Sequence, residues 1–189
     1  VVIGDHFGVE VSGLDESRVT NRLEGGRWVV EVPSDGIGLH DLDGVRGTVT
    51  LPADCRPERL TLHLGAGEVT ASGLSASVKT DLEVGAGRMA LSDCAFANAE
   101  IDCGAGSFSL SGGSLTGRGS IDCGLGSASV LFAGAAADYG ASVDCGLGSV
   151  TFLGQRWQGA GEGTVRAGAA NFFEIDCGMG SVDFEVTGG

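Results

Sequence analysis

The feature that most constrains this chain is a ten-residue pattern that occurs six times in its last two thirds. The pattern reads apolar, any, apolar, Gly, apolar, Gly, any, apolar, any, apolar, and its first copy is LHLGAGEVTA at residues 62–71. The other copies begin at Leu82, Ile101, Ile121, Val143 and Ile175, at spacings of 20, 19, 20, 22 and 32 residues. A repeat of this length is typical of folds in which one supersecondary unit stacks on the next.

Each copy predicts two short strands joined by a bend. Apolar residues alternate with other residues on both sides of the Gly-x-Gly, which is the period of a β-strand. One unit cannot bury its own apolar face, whereas units stacked about 4.8 Å apart share an interior made of equivalent residues. Three such columns are predicted, and all eighteen members are apolar: Leu62, Leu82, Ile101, Ile121, Val143 and Ile175; Val69, Met89, Phe108, Ala128, Val150 and Val182; Ala71, Leu91, Leu110, Val130, Phe152 and Phe184.

The repeat divides the chain into a stack and an N-terminal segment. Residues 61–189 are predicted to form about six coils of about 20 residues each. Residues 1–60 lack the motif but contain strand-like runs, so we expect a β-strand cap that belongs to the same domain. The 32-residue spacing holds an extra excursion, residues 154–170, which includes Trp157 and is the predicted functional loop.

The paired glycines have two possible explanations. In a stack, a Cβ at Gly104 or Gly106 would obstruct either the bend or the next unit. In a nucleotide-binding loop, Gly-x-Gly-x-x-Gly leads into a helix, whereas strand residues follow here and the motif recurs six times. We therefore expect the glycines to be structural.

Charge and hydropathy exclude several classes of function. The 11 Lys and Arg against 25 Asp and Glu give a net charge of −14, which repels nucleic acid and anionic lipid headgroups. The longest apolar stretch, residues 130–137, is interrupted by Gly134 and is too short to cross a bilayer. The chain begins at Val1 without an initiator methionine, so we expect that a signal peptide or a membrane anchor has been removed.

Cysteine replaces an aliphatic residue at one position of the repeat. In the order of the copies, this position contains Leu64, Val84, Cys103, Cys123, Cys145 and Cys177. Cys94 likewise stands where the preceding copy has Leu74, and Cys55 lies in a predicted loop. Stacked side chains point in parallel directions and stay wider apart than a disulfide prefers, and the spacings lack the paired cysteines of zinc sites. We therefore predict free thiols, five of them buried.

An acidic column accompanies the cysteines. It consists of Asp102, Asp122, Asp144 and Asp176, with Glu83 and His63 at the equivalent earlier positions. Alternation places this column on the outer face of the stack. Like charges about 4.8 Å apart repel by about 1 kcal/mol per pair in water, so the column is either solvated or neutralised by a cation. Solvation is the simpler interpretation, the four aspartates are a candidate metal site, and no cofactor is predicted.

No catalytic constellation stands out in the sequence. The three histidines are scattered, serines recur throughout the repeat, and none of the 25 acidic residues forms a pair marked by its context. We therefore predict no catalytic residues and no enzymatic activity. Trp28, Trp157 and Tyr139 are candidate contacts for a sugar or a protein, although aromatic residues at strand ends commonly pack against the core.

The sequence resembles a bacterial adhesin family of unknown function, also called the toast-rack domain. The resemblance rests on GTVTLPADCRPERLTLHLGAGEVTASGL, residues 47–74, followed by VGAG, CGAG, CGLG, CGLG and CGMG, and it covers about residues 28–186. The chain is similar to the extracytoplasmic β-repeat part of Lia-type cell-envelope stress proteins. The resemblance implies a right-handed stacked β-fold, a handedness that parallel crossovers also favour. It further implies a location at the envelope and supplies no catalytic residues.

Together these observations predict an all-β, right-handed, solenoid-like stack that acts as a noncatalytic module on the extracytoplasmic side of the cell envelope. We expect a membrane anchor outside this chain, and a protein or envelope component as the partner, bound near residues 154–170. Nucleic acid is not an expected partner. Two alternatives remain open: a spacer or stress sensor that acts by self-association, and a carbohydrate-active enzyme built on a β-solenoid.

Overall fold

The structure is a computed structural model that describes residues 1–12, 18–25, 27–32 and 46–187. The chain divides into two units, Val1–Cys55 and Arg56–Gly189. Both units are built from β-strands, so the predicted all-β class is confirmed. In the described part of the chain, no helix is both long enough and apolar enough to cross a membrane.

The described residues of the first unit form two small sheets. The strands are β1 (Val2–Gly4), β2 (Gly8–Ser12), β3 (Thr20–Glu24), β4 (Arg27–Glu31) and β5 (Arg46–Pro52). Strand β5 pairs in parallel with β1 and antiparallel with β2, and β3 pairs antiparallel with β4. The role of this unit as a cap stays a prediction.

The second unit is made of two long sheets. Its elements are β6 (Arg59–Leu64), β7 (Glu68–Ser72), β8 (Ser75–Ala76), β9 (Lys79–Val84), β10 (Arg88–Ala97), β11 (Ala99–Cys103), β12 (Ser107–Thr116), β13 (Arg118–Cys123), β14 (Ser127–Ala133), a 3-10 turn (Ala136–Asp138), β15 (Tyr139–Cys145), β16 (Ser149–Phe152), β17 (Gln155–Gln158), β18 (Gly161–Val165), β19 (Asn171–Cys177) and β20 (Ser181–Thr187). Sheet I has the order β18-β15-β19-β13-β11-β9-β6. Sheet II has the order β17-β16-β20-β14-β12-β10-β7, with β8 beside β10. The strands of both sheets are parallel except β17 and β18, and over the described residues neither sheet closes on itself.

Each copy of the repeat supplies one strand to each sheet, and a Gly-x-Gly bend joins the two strands. The observed register pairs the members of the predicted columns, for example Leu82 with Ile101 and Met89 with Phe108. Of the eighteen column members, all but Leu62 and Val69 are buried. These two belong to the first copy, which lies at the edge of both sheets. The predicted columns therefore form the core of the second unit.

The second glycine of a bend allows the layers to approach closely. A Cβ built on Gly126 would collide with the carbonyl oxygen of Gly106 and would lie 2.9 Å from Cys103 Sγ in the preceding layer. At Gly67 and also at Gly65, the two bend glycines of the first copy, a Cβ would meet nothing within 4 Å. Glycine is thus required where a bend packs against a preceding layer, and the structural interpretation of the motif agrees with this packing.

The order of the copies in the stack differs from their order in the chain. Ile175 of the sixth copy pairs with both Ile121 and Val143, so the sixth copy lies between the fourth and the fifth. Sheet II repeats this arrangement, because β20 pairs with both β14 and β16. Chain order alone would place Val143 beside Ile121. The 22-residue spacing before Val143, which includes the turn at Ala136–Asp138, lets the chain pass over one layer that the sixth copy later fills.

The excursion at residues 154–170 contributes two strands to the sheets. Its strands β17 and β18 pair antiparallel with the fifth copy and add a last layer to sheets II and I. The half-buried Trp157 pairs with Val150 and lies against Gly161 and Gly163, whose missing side chains leave room for the indole. Trp157 therefore packs over the end of the core.

An aromatic cluster surrounds the inserted sixth copy. The ring of the buried Phe184 has its centroid 4.8 Å from that of Phe152, 5.3 Å from Phe173, 5.5 Å from Phe132 and 6.0 Å from Tyr139. Tyr139 is itself buried, and its hydroxyl donates a hydrogen bond of 3.0 Å to a backbone carbonyl. Its environment is that of a core residue and not of a ligand contact.

Candidate functional site

The outer face of sheet I carries the acidic side chains that the sequence singles out. The register places six carboxylates in adjacent layers, which we call the acidic row: Glu83, Asp102, Asp122, Asp176, Asp144 and Glu162. Asp176 and Asp144 exchange the places that chain order would give them. Glu162 extends the row, and sequence analysis missed it because β18 runs antiparallel and carries no copy of the motif.

One histidine continues the line of the acidic row, and one lysine lies near it. At one end, His63 pairs with Glu83, and its Nδ1 lies 3.4 Å from Glu83 Oε2. Asp81 and Glu100 pair in the line of residues next to the row, and Lys79 Nζ lies 2.9 Å from a carboxylate oxygen of Glu100 and 3.2 Å from one of Asp81. Lys79 therefore compensates those two carboxylates. The six positions of the row contain neither Lys nor Arg.

Asp122 lies near the centre of the row and is half-buried, whereas the other five members are exposed. Burial raises its pKa above the ordinary value of 3.8, and repulsion from Asp102 and Asp176 raises it further. A hydrogen bond with Ser120 partly opposes the increase. The surroundings of Asp122 therefore disfavour the ionised form of its carboxyl group.

A surface depression of about 410 Å³ lies along part of the row. It is lined by three carboxylate residues of the row and by residues of the adjoining bends: Glu83, Asp102 and Asp122, with Val84, Gly85, Cys103, Gly104 and Gly124. Among the residues that the structure describes, no three His, Cys, Asp or Glu side chains are arranged to hold a metal ion. Because the carboxylates follow one another from layer to layer, they form a line. Cation binding by the four predicted aspartates stays a prediction.

The cysteine position of the repeat lies inside the stack. Cys103, Cys123, Cys177 and Cys145 occupy consecutive layers, and all four are buried free thiols. Burial, together with a smaller contribution from the neighbouring Cys103 and Cys177, raises the pKa of Cys123 to about 12. A thiol that remains protonated at neutral pH is a poor nucleophile and a poor metal ligand. The prediction that cysteine replaces an aliphatic core residue agrees with this environment.

The central residues of the Gly-x-Gly bends form a second line beside the acidic row, which we call the tip row. Backbone hydrogen bonds between successive bends order it as Ala66, Ala86, Ala105, Leu125, Met179 and Leu147. Leu125, Met179 and Leu147 are 61 %, 60 % and 78 % exposed. All three large tip residues therefore lie in adjacent layers, and the insertion of the sixth copy places Met179 between the two leucines. Sequence analysis missed this patch, although the change from GAG to GLG and GMG was its signal.

The remaining aromatic candidate lies in the first unit. The indole Nε1 of Trp28 donates a hydrogen bond of 2.8 Å to Asn21 Oδ1. Its ring centroid is 5.0 Å from that of Phe7 in an edge-to-face arrangement. Trp28 is thus engaged by residues of its own unit.

Comparisons of the chain with protein families, with curated proteins and with solved structures found no match. The toast-rack resemblance accordingly stays a prediction. The geometry of the acidic row and the tip row is therefore the basis of the functional proposal.

Proposed function

We propose that this chain is a noncatalytic module of the cell envelope that binds a cationic protein partner through the acidic row. The observation that carries the proposal is the row itself, in which six carboxylates occupy adjacent layers without a Lys or Arg among them. A linear array of one charge sign on a regular scaffold is suited to recognition of a partner with the opposite charge.

Repulsion within the row supplies part of the driving force for binding. Two unit charges about 4.8 Å apart in water repel by about 1 kcal/mol. Burial is the main cause of the raised pKa of Asp122, and this repulsion adds to it. A Lys or Arg of a partner, placed between two carboxylates, relieves the repulsion. The expected association is fast at low ionic strength and weakens as salt is added.

The architecture proposed with this function is a right-handed, solenoid-like stack of six coils with the sixth coil inserted between the fourth and the fifth. Right-handed crossovers between parallel strands are strongly favoured, which supports the handedness. The sequence resemblance supports a position on the extracytoplasmic side of the envelope, next to a membrane anchor that lies outside this chain. In that position, the stack would present the acidic row to proteins of the envelope.

The test compares two variants that each remove four negative charges. The row variant combines Asp102→Asn, Asp122→Asn, Asp176→Asn and Asp144→Asn. The control variant combines Glu58→Gln, Glu68→Gln, Asp138→Asn and Asp183→Asn, which alter exposed carboxylates outside the row. Both variants have the same net charge, so a general effect of charge acts on them equally.

The probe is immobilised cytochrome c, a cationic protein, and surface plasmon resonance measures the Kd. We expect the row variant to bind about tenfold more weakly than the wild-type chain, which corresponds to about 1.4 kcal/mol, while the control variant changes little. Equal weakening in both variants would mean that net charge alone is responsible and would reject the proposal. Sedimentation velocity of the free chain tests the alternative role as a spacer that self-associates. An oligomer that forms as the concentration rises, and that forms equally in the row variant, would favour that role.

A further inference from the structure

We propose that the acidic row and the three large tip residues form one docking surface for a basic amphipathic helix of a partner protein. This inference rests on the proposed function, because it uses the acidic row. The inference adds to the proposed function an apolar contact at the tip residues and a helical shape for the partner. The docking surface consists of the acidic row together with Leu125, Met179 and Leu147.

The apolar part of the docking surface is a contiguous patch of exposed side chains. Each of the three tip residues is at least 60 % exposed, and they lie in neighbouring layers. Contiguous exposed apolar patches of a few hundred Å² with polar surroundings are often interaction sites. Here the surroundings are the acidic row on one side and, on the other, a line of serines that contains Ser127, Ser181 and Ser149.

The two parts of the surface lie close together. Asp122 precedes Leu125 by three residues, and the same separation relates the carboxylate to the large tip residue in the fifth and sixth copies. Three residues of chain span at most about 10 Å. A side chain of Lys or Arg on a helix that contacts the tips can therefore reach the acidic row.

The dimensions of the tip patch match one face of an α-helix. Layers about 4.8 Å apart place the first and the last of the three large tips about 10 Å from each other. Positions i and i+7 of a helix, at a rise of 1.5 Å per residue, are separated by about 10.5 Å, and position i+3 or i+4 falls between them. Side chains on one face of an extended strand repeat at about 6.8 Å and do not match the layers.

The tips are fixed before a partner arrives. The backbone N–H of Leu125 donates to Gly104 O at 2.7 Å, that of Met179 to Gly124 O at 2.8 Å, and that of Leu147 to a glycine oxygen at 2.7 Å. Binding therefore requires little ordering of the backbone at the tips, which preserves affinity.

Charge distinguishes the helix from other occupants of the apolar patch. A second copy of this chain brings a further net charge of −14 and its own acidic row. An anionic lipid surface is repelled for the same reason. A helix with a leucine-rich face flanked by lysines satisfies both the apolar tips and the carboxylates.

The probe for this inference is a fluorescein-labelled peptide of leucine and lysine, with the leucines at positions i, i+3, i+4 and i+7 of a helix. A peptide of the same composition with scattered leucines is the reference, and fluorescence anisotropy measures both Kd values. The tip variant combines Leu125→Ala, Met179→Ala and Leu147→Ala. Alanine occupies the tips of the first three copies, so the bends accept it. The control variant combines Leu131→Ala and Val78→Ala, which alter exposed apolar residues outside the bends.

We expect the wild-type chain and the control variant to bind the amphipathic peptide about tenfold more tightly than the scattered one, and the tip variant to lose this preference. A tip variant that keeps the preference overturns the docking inference. If the row variant still weakens both peptides in that case, the proposed function stands. If the row variant binds both peptides as the wild-type chain does, the proposed function fails.

Two further results would overturn the inference by identifying another occupant. Binding of the wild-type chain, but not of the tip variant, to phosphatidylcholine vesicles would mean that the tips enter lipid. A wild-type oligomer that dissociates in the tip variant during sedimentation would mean that a second copy covers the tips.

Discussion

Phe184→Ala tests the core at the layer where the sixth copy enters the stack. Phe184 is fully buried and has four aromatic neighbours with ring centroids between 4.8 and 6.0 Å away. Truncation of a buried Phe to Ala costs about 3–5 kcal/mol. Each aromatic pair contributes about 0.5–1.5 kcal/mol more, although pairs that share a ring are not additive. We therefore expect a loss at the upper end of this range, about 5 kcal/mol.

Phe108→Ala is the matched comparison. Phe108 is also buried in a predicted column, but its neighbours in that column are Met89 and Ala128 and not aromatic rings. We expect it to lose about 3–4 kcal/mol, since the cavity and transfer contributions are similar. Urea unfolding followed by circular dichroism gives both free energies of unfolding. If Phe184→Ala does not fold, Phe184→Leu preserves most of the volume and measures the loss of the ring contacts.

The reasoning is refuted if Phe108→Ala destabilises the chain as much as Phe184→Ala does. That result would mean that the aromatic cluster around the inserted copy adds nothing to ordinary burial. A small effect of both substitutions would mean that neither ring lies in the core.

Three further predictions concern the bends, the acidic row and the thiols. Gly126→Ala should lower the Tm clearly, because its Cβ collides with the preceding layer, whereas Gly65→Ala should have little effect since its Cβ meets open space. Asp122→Asn should raise the free energy of unfolding at pH 7, because the raised pKa of Asp122 means that folding penalises the ionised form. Protonation of Asp122 removes this penalty, so the stability advantage of the Asn variant should disappear as the pH falls through the folded pKa toward 3.8. Urea unfolding of both proteins at pH 7 and near pH 3.8 measures the difference. Iodoacetamide should alkylate the half-buried Cys55 in the native chain and all six cysteines in urea, as counted by mass spectrometry.

Each of these experiments has an outcome that contradicts its premise. Equal Tm losses in the two glycine variants would show that close approach of the layers is not the cause. An effect of Asp122→Asn that is independent of pH would separate its stability from its charge. Rapid modification of Cys123 in the native chain would place the cysteine column near solvent.

The columns of the core could be predicted from the sequence because they depend on local alternation and on a regular spacing. Leu82 and Ile101, for example, hold the same place relative to their Gly-x-Gly, so any stacking of the copies in register makes them neighbours. The order of the layers could not be predicted in this way. Every copy presents the same register, and Val143 would pair as well with Ile121 as with Ile175. The connections decide the order, and their only signals are the spacings of 22 and 32 residues.

Some residues of the candidate site could be predicted from the sequence, and others could not. The four aspartates of the acidic row were found because they share one position of the repeat. Glu162 was not, because it joins the row through an antiparallel strand. The patch formed by Leu125, Met179 and Leu147 had a signal in the sequence, the change from GAG to GLG and GMG in the last three copies, but the exposure of its side chains is seen only in the structure.

The insertion of the sixth copy also bears on synthesis of the chain. Of the six copies, the ribosome delivers last the one that occupies an interior layer. A nascent chain that ends before Asn171 already contains the fourth and fifth copies, which have equivalent registers and are free to pair directly with each other. Such a premature pairing must reopen before β19 and β20 can enter. Truncation of the chain before Asn171 would therefore remove an interior layer of the stack, while the fifth copy and the strands β17 and β18 beyond it would remain.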